Sequence, residues 1–292
     1  MTASEWLDCI EQMHPAEIEL GLERVAAVRD RMAFVMPGVI VSVAGTNGKG
    51  SVCAMIEAIA LESGFRVATY TSPHFINFNE RARINGVPAS DEDLIAAFEA
   101  VEAARHDVSL TYFEFTTLAI VWLFAQQEPE LTILEVGLGA RLDAVNLFDA
   151  DCSVVTCVDI DHTAYLGTTR EEIAWEKAHI YRPGKPAICA DPMPPARLIE
   201  HAEKIDADLW LFGRDFNYNG DRQQWGYAGR SQRRNSLAYP ALRGANQLLN
   251  ASAALAVFEA LRSQLPVTQQ AVRTGFATVD LPGRCQMLAG RP

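Results

Sequence analysis

Residues 39–51 read VIVSVAGTNGKGS and decide the fold of this 292-residue chain. Five of the first six residues are apolar, which predicts a buried strand. Gly45, Gly48 and Gly50 then allow a tight turn whose backbone N–H groups approach an anion. A helical pattern follows, and the positive end of that helix points at the same place. We interpret the stretch as strand, phosphate-binding loop (P-loop) and helix, with Lys49 reaching the terminal phosphates of a nucleotide.

The loop departs from the Walker A pattern, GxxxxGK followed by Ser or Thr, at two positions. Val43 stands where the first glycine is expected, and Gly50 separates Lys49 from the hydroxyl of Ser51. A P-loop kinase would need that hydroxyl directly after the lysine, so Gly50 argues against this class. A plain glycine turn with a solvated lysine is the other alternative. The offset directs the search for metal ligands to neighbouring strand ends.

Composition excludes several classes of protein. Hydrophobic residues make up 49% and charged residues 21% of the chain, as in soluble globular proteins. A net charge of −12 argues against general binding to nucleic acid or to anionic membranes. No long apolar run indicates a signal peptide or a membrane span. The six cysteines show no CxxC spacing, so we expect scattered thiols in a reducing compartment, the cytoplasm.

Strand-like and helix-like segments alternate along the chain, which predicts an α/β fold. Its mostly parallel sheet should carry helices on both faces, with a small antiparallel region at 214–243. Asn219–Gly220 is interpreted as a hairpin turn there, and residues 71–90 as a long functional loop. Predicted strands are 39–44, 65–70, 131–136, 153–158, 186–190 and 208–213. Predicted helices are 3–13, 16–33, 51–63, 91–105 (capped by Asp91), 114–127, 170–181, 195–204, 245–263 and 268–277.

Polar residues follow several of the predicted strands, at the carboxyl edge where open α/β sheets bind ligands. These are Ser72, Glu135, the Asp159–Asp161–His162 cluster and, on the next helix, Lys177. Each has an ordinary structural explanation on its own, as a cap, an edge charge, a core histidine or an exposed lysine. Beside a phosphate loop, a hydroxyl, a carboxylate and an imidazole could together hold one or two Mg²⁺ ions.

Several motifs occur in the order found in folylpolyglutamate synthetases of the Mur ligase superfamily. The chain most resembles their bacterial bifunctional dihydrofolate synthetase/folylpolyglutamate synthetase members, over almost its whole length. The motifs are IELGLERV (18–25), GTNGKGS (45–51), TSPH (71–74), SLTYFEF (109–115), LEVGLGARLDAVN (134–146), DHTAYLG (161–167), EKAHIYRPGKPAI (176–188) and LPGRCQ (281–286). The resemblance implies a Mur-ligase-type ATP-binding domain and an ATP-dependent ligase of folate biosynthesis. Such enzymes join L-glutamate to dihydropteroate or to folylpolyglutamate through an acyl phosphate.

The resemblance also implies roles for individual residues. Lys49 would contact the β- and γ-phosphates, Ser72 and Glu135 would bind one Mg²⁺, and Glu135 and His162 a second. Lys177 matches the carbamylated lysine of the family, so that Lys49, His162 and Lys177 form the catalytic set. The nucleotide would contact Gly45, Thr46, Asn47, Gly48, Lys49, Gly50 and Ser51, with Asn250 at adenine and Arg284 at a phosphate. The pterin would contact Leu20, Gly21, Thr111 and Phe113, the last by stacking.

Three positions depart from the family pattern. Ala140 replaces a glycine and Val145 a threonine in LGGRLDATN, and His179 replaces the glycine of EKAGI. An imidazole two residues after Lys177 would alter the surroundings of the carbamate.

Two other functions stay open at this stage. The chain could be a nucleotide-binding protein without catalysis, although Ser72, Glu135, His162 and Lys177 are all present. It could also be an ATP-dependent ligase of cell-wall precursors that acts on a UDP-muramoyl peptide. For the folate enzyme we expect dihydropteroate or folate and L-glutamate as partners, no nucleic acid or membrane, and a monomer.

Family members carry a second, C-terminal domain that supplies much of the glutamate site. We expect residues 1–281 to form the ATP-binding domain and 282–292 to begin a linker to a domain absent from this chain. A fragment of this kind should bind ATP–Mg²⁺ and the pterin but catalyse poorly or not at all. ATP- and glutamate-dependent phosphate release by the chain tests this, and turnover like that of a complete ligase would contradict it.

Overall fold

The computed structural model describes residues 1–221 and 223–282. The helices are α1 (Ala3–Glu11), α2 (Glu23–Met32), α3 (Lys49–Glu62), α4 (Asp91–Arg105), α5 (Tyr112–Gln126), α6 (Thr163–Leu166), α7 (Arg170–Ala178), α8 (Ala196–Lys204), α9 (Gln247–Ala260) and α10 (Gln269–Thr278). The strands are β1 (Val39–Ala44), β2 (Val67–Tyr70), β3 (Ala82–Ile84), β4 (Val87–Pro88), β5 (Leu131–Glu135), β6 (Cys152–Val155), β7 (Pro186–Cys189), β8 (Asp208–Leu211), β9 (Asn217–Gly220), β10 (Trp225–Ala228) and β11 (Arg233–Leu237). Within the described ranges, no helix has the length and apolar character needed to cross a bilayer.

Eight strands form one sheet in the order β4-β3-β2-β5-β1-β6-β7-β8. All neighbours from β2 to β8 pair in parallel, and β3 and β4 add an antiparallel edge. All six residues of β1 are buried, because helices cover both faces of the sheet. The chain runs from β1 towards one edge and later from β6 towards the other. The predicted α/β fold is confirmed, and its phosphate loop lies at the strand-order switch, where such sheets bind ligands.

The antiparallel region is also confirmed, as the three-stranded sheet β11-β10-β9. Glu259 on α9 joins it to the main body. Its buried carboxylate accepts hydrogen bonds from the Tyr227 hydroxyl at 2.7 Å and from the backbone N–H groups of Ser231 and Gln232 at 2.6 and 3.0 Å. Because α9 also packs beside α3, this small sheet supports the helix that follows the P-loop.

Four sequence predictions about local structure were wrong. Asn219–Gly220 ends β9, and the predicted β9–β10 hairpin turns just after it, where the Asp221 N–H donates to the Gln224 carbonyl at 2.9 Å. A second hairpin, between β3 and β4, turns at Asn85–Gly86, with φ of +52° and +78°. The segment 71–90 therefore contains two edge strands rather than only a loop. The side chain of Ser90, not Asp91, caps α4 by accepting from the Asp93 N–H at 3.1 Å.

The predicted helix 16–33 begins only at Glu23. His14 lies before it and bridges two side chains, with Nδ1 at 2.8 Å from Ser109 Oγ and Nε2 at 2.9 Å from Glu19 Oε2. The first of these hydrogen bonds ties the segment to the residues before α5 and the second lies within it, and together they hold residues 14–22 as an irregular segment. Periodicity alone could not reveal this, because the partner residue is 95 positions away.

The P-loop helix α3 packs closely against α10. A Cβ built on Gly275 would lie 2.8 Å from the Ile59 backbone nitrogen and from its Cα. The two helices can approach this closely only because residue 275 has no side chain. The contact fixes the position of α3 and therefore of the loop at its N-terminus.

Gly275→Ala should destabilise the protein by about 1–3 kcal/mol, because the added methyl group clashes with backbone that cannot move freely. This loss should exceed the roughly 1 kcal/mol that alanine gains over glycine in helix propensity. Urea unfolding measures the difference. The matched control is Arg273→Ala on the exposed side of α10, expected to change stability by less than about 0.5 kcal/mol. Equal stability of both variants would contradict the close contact.

Candidate functional site

The P-loop is held in shape by the segment that follows β6. Thr156 Oγ1 donates to the Asn47 carbonyl at 2.7 Å, and the Thr46 N–H donates to the Cys157 carbonyl at 2.8 Å. A Cβ on Gly45, whose φ is +147°, would lie 1.9 Å from Thr156 Oγ1. Gly45 is therefore required by close approach as well as by backbone conformation.

A second pair of hydrogen bonds links the loop to Asp159. Thr46 Oγ1 donates to the Asp159 carbonyl at 3.1 Å and accepts from the Asp159 N–H at 2.9 Å. Asn47 also bonds Cys157, with the Asn47 N–H 3.4 Å from Sγ. Two stretches that the sequence analysis singled out, 45–51 and 159–162, therefore meet at one edge of the sheet.

Lys49 begins α3 and folds back over the loop. Its Nζ donates to the carbonyls of Gly45 and Thr46 at 3.1 and 3.4 Å. A Cβ on Gly48 would lie 2.7 Å from Asn250 Oδ1, so Asn250, which was expected to contact adenine, lies directly against the P-loop. Ser51 is buried, and Gln247 Nε2 lies 3.5 Å from its hydroxyl.

Glu135 and Ser72 meet in front of the same helix. Oε2 of the buried Glu135 accepts from the Ser72 N–H at 3.2 Å. A Cβ on Gly50 would lie 3.8 and 3.9 Å from the two carboxylate oxygens. A carboxylate and a hydroxyl beside a P-loop suit Mg²⁺, a hard cation that prefers oxygen ligands. In the part of the chain that is described, no group of three or more His, Cys, Asp and Glu side chains is arranged to hold a metal ion.

His162 lies at the start of the short helix α6, in the left-handed region with φ of +48°. Its side chain is about half exposed, and its Nε2 lies 3.7 Å from Asp161 Oδ2. Asp161 Oδ1 also accepts from the His162 N–H at 2.8 Å. Asp161 thus orients the exposed imidazole. Asp159, three residues before His162, is hydrogen-bonded to Thr46 of the P-loop.

Lys177, near the end of α7, is a buried lysine with a lowered pKa. Burial, followed by the positive charge of Lys49, lowers the pKa of Lys177 to about 8. Asp161 and Asp143 act in the opposite direction. The side chain is 4% exposed, so an ordinary ammonium ion is costly there. A lowered pKa increases the share of neutral amine, the form that reacts with carbon dioxide.

A cavity of about 810 Å³ opens beside this edge of the sheet. Ser72 belongs to its lining, and so do Leu20, Thr111 and Phe113, which were expected to contact a pterin; Gly21 is not in the lining. The Thr111 hydroxyl is buried and caps α5 by accepting from the Glu114 N–H. The ring of Phe113 lies against Gly137, where a Cβ would be 2.6 Å from Cζ.

Asp143 is a cavity residue that the sequence analysis did not select. Its carboxylate accepts from the N–H groups of Gly137, Leu138 and Val145 at 3.0, 2.9 and 2.9 Å. Burial nevertheless raises the pKa of Asp143 to about 6. Its place within LEVGLGARLDAVN was the available signal, because an aspartate inside a glycine-rich strand-end loop commonly binds loop amides.

Comparison with known proteins places this geometry in a family. The Mur ligase middle domain matches residues 43–258. The dihydrofolate synthase/folylpolyglutamate synthase of Escherichia coli is 41% identical over 290 residues, 99% of this chain and 67% of that protein. The chain belongs to the dihydrofolate synthase/folylpolyglutamate synthase family.

Solved structures of this family agree. The E. coli FolC complex with DHPP and ADP has a TM-score of 0.94 and 40% identity, covering 99% of this chain and 69% of that one. A bifunctional folylpolyglutamate synthase/dihydrofolate synthase with Mn, AMPPNP and L-glutamate bound gives 0.91 and 40%, with the same coverage. The chain thus spans about two-thirds of the length of the family members it matches.

All three departures from the family pattern have a structural setting. Ala140 and Val145 are both buried beside the cavity loop. His179 caps α7 and points away from Lys177: its Nδ1 lies 2.6 Å from the Trp175 carbonyl, and its ring lies 4.1 Å from that of His201. The imidazole therefore packs between α7 and α8. Arg284 lies outside the described residues.

The pKa of Lys177 predicts a pH-dependent stability. Between pH 8 and 10.5 the unfolded state keeps a proton that folded Lys177 has released, so stability rises with pH. Relative to Lys177→Met, the free energy of unfolding should increase by about 3 kcal/mol across this range in CO₂-free buffer. Denaturant unfolding at several pH values measures this. Exposed Lys204→Met is the control without such a slope, and a flat difference for Lys177→Met would contradict the lowered pKa.

Proposed function

We propose that this chain binds ATP–Mg²⁺ and a pterin carboxylate as part of an ATP-dependent carbon–nitrogen ligase of folate biosynthesis. The ligase joins L-glutamate to dihydropteroate, to folylpolyglutamate, or to both. One observation carries the proposal: Ser72 belongs to the cavity lining and also bonds Glu135 in front of the P-loop. A substrate in the cavity therefore has one end beside the place of the terminal phosphate. We also infer a cytoplasmic location, supported by five free cysteines among the described residues.

The P-loop would bind the nucleotide through its backbone. Gly45, Gly48 and the N-terminus of α3 present N–H groups, and the helix dipole adds positive potential. Lys49 would leave the Gly45 and Thr46 carbonyls and move to the β- and γ-phosphates, exchanging two neutral acceptors for charged ones. Asn250, which lies against Gly48, would contact the adenine.

Phosphoryl transfer at this site depends mainly on position and charge. The substrate carboxylate attacks the γ-phosphorus, the bond to ADP breaks, and an acyl phosphate forms. The amine of glutamate then attacks the acyl carbon, giving an amide and releasing phosphate. Ser72, Glu135 and His162 would hold one or two Mg²⁺ ions, which neutralise phosphate charge when bound. Glu135 would also keep the Ser72 backbone in place, since it accepts the Ser72 N–H.

Lys177 has the properties that a carbamylated lysine requires. It is buried, its pKa is lowered, and no hydrogen bond or ion pair engages its amine among the described residues. Addition of CO₂ to the neutral amine gives a carbamate and a proton, which replaces a costly buried cation by an anionic oxygen ligand. The carbamate would face Lys49, which offsets its charge and lies close enough to influence Lys177.

The pterin end of the substrate would lie where Thr111, Phe113 and Leu20 line the cavity. The Phe113 ring offers a flat surface to a flat heterocycle. Asp143 lies beside it and offers carboxylate oxygens to N–H donors of a pterin. We propose residues 1–281 as one Mur-ligase-type ATP-binding domain that contains both the nucleotide and the pterin subsites.

Calorimetry with AMPPNP–Mg²⁺ and dihydropteroate tests the proposed function. We expect saturable binding of both ligands, and Glu135→Gln should weaken binding of the nucleotide–metal complex by about 10-fold or more, because a charged metal ligand is lost. Glu130→Gln is the matched control, since the partly exposed Glu130 lies just before β5, at the end opposite to Glu135. Binding of a UDP-muramoyl peptide instead of dihydropteroate would favour the cell-wall ligase. Binding of nucleotide alone would favour a protein without ligase activity.

A further inference from the structure

The cavity wall contains a buried cation that the mechanism above does not use. Arg81 is 9% exposed and lines the cavity. Its guanidinium carbon lies 5.5 Å from the ring centroid of Phe78 and 5.6 Å from that of Tyr112. Across residues 1–221 and 223–282, no carboxylate lies within ion-pair distance of this guanidinium. A buried charge without an opposite charge is costly, so the site suits an anion supplied by a ligand.

His74 provides a second donor at the same place. Arg81 Nε donates to His74 Nδ1 at 2.9 Å, so Nδ1 carries no proton. The proton of the neutral ring is then on Nε2. His74 also lines the cavity. Among the described residues, the terminal N–H groups of Arg81 and the Nε2–H of His74 form a set of donors without acceptors.

The chemistry of this pair fits one carboxylate. A guanidinium that lies against two aromatic rings presents a fork that matches the two oxygens of a carboxylate. A phosphate fits less well, because the cavity also has an acidic side that repels a second negative charge. That side consists of Asp8, Glu11, Glu17 and Glu19.

The position of Arg81 separates it from the reacting phosphate. Arg81 immediately precedes β3, which is three strands away from β1 in the sheet. At about 4.8 Å per strand, its backbone is roughly 14 Å from the strand that carries the P-loop. Ser72 and Glu135 lie between them, on the ends of β2 and β5. The carboxylate that Arg81 receives is therefore distinct from the one that is phosphorylated.

We propose that Arg81 and His74 bind the α-carboxylate of a glutamate already joined to the substrate. The proposal rests on the proposed function and deepens it. Dihydropteroate has a single carboxylate, which reacts and leaves none for Arg81. A folylglutamate has a reacting γ-carboxylate and a spare α-carboxylate. Arg81 is thus a specificity residue that favours the already glutamylated substrate.

Calorimetry in the presence of AMPPNP–Mg²⁺ compares two probes, dihydropteroate and dihydrofolate monoglutamate. Arg81→Met keeps an apolar side chain of similar length against Phe78 and Tyr112 but removes the charge and the donors. It should weaken dihydrofolate binding by about 10- to 100-fold, the value of a charge-assisted hydrogen bond, and change dihydropteroate binding by less than about two-fold. Arg81→Lys keeps the charge without the fork and should give an intermediate loss. Arg66→Met removes an exposed arginine outside the cavity and should leave both affinities unchanged.

The outcomes separate this inference from the proposed function. Equal losses for both probes, or no loss for dihydrofolate, would overturn the role of Arg81 while the folate site stands. Binding of dihydropteroate but not dihydrofolate by the unmodified chain would do the same. Binding of neither probe would overturn the proposed function itself. AMPPNP–Mg²⁺ affinity and thermal unfolding verify that each variant is folded. If Arg81→Met does not fold, the comparison of the two probes is made with Arg81→Lys instead.

Discussion

The structure depends on the contact between the P-loop and the segment after β6. A glycine-rich loop has many conformations, and only some present their N–H groups to one phosphate. Here the Thr46 hydroxyl donates to the Asp159 carbonyl, and the Thr46 N–H donates to the Cys157 carbonyl. The Asn47 carbonyl accepts from the Thr156 hydroxyl. Because β1 and β6 are adjacent in the sheet, the loop is ordered by the strand pairing itself. The backbone of the P-loop thus has its shape without a ligand.

The rest of the site follows from strand order. β5 lies beside β1 on the other side, so Glu135 ends next to the first turn of α3. β2 lies beside β5, so Ser72 comes within hydrogen-bond distance of Glu135. Residues far apart in sequence meet because parallel strands bring their carboxyl ends to one edge. The cavity begins at that edge, beside Ser72, and extends under the irregular segment 14–22, away from the P-loop.

The sequence predicted the parts of this arrangement that local patterns specify. Apolar strands, the glycine loop and the residues at strand ends are visible in one dimension, and the strand order was not needed to list them. Residues 16–22 were misjudged because the hydrogen bonds of His14, to the distant Ser109 and to the nearby Glu19, outweigh helical periodicity. The turn at Asn219–Gly220 was placed a few residues early because the chain has three Asn-Gly pairs, at 47–48, 85–86 and 219–220, and only strand pairing shows which of them forms the turn itself. Arg81 and Asp143 were missed because burial, which makes them informative, is a property of the folded chain.

The contact between Gly45 and Thr156 has a consequence for how such a site can vary. The hydroxyl of residue 156 occupies the volume that any side chain at residue 45 would need. A larger residue at 45 thus requires a smaller one at 156, and that exchange removes the bond to Asn47. The two positions, 111 residues apart, can therefore change only together. A variant changed at one of them alone either has a steric clash or lacks the hydrogen bond that holds the loop.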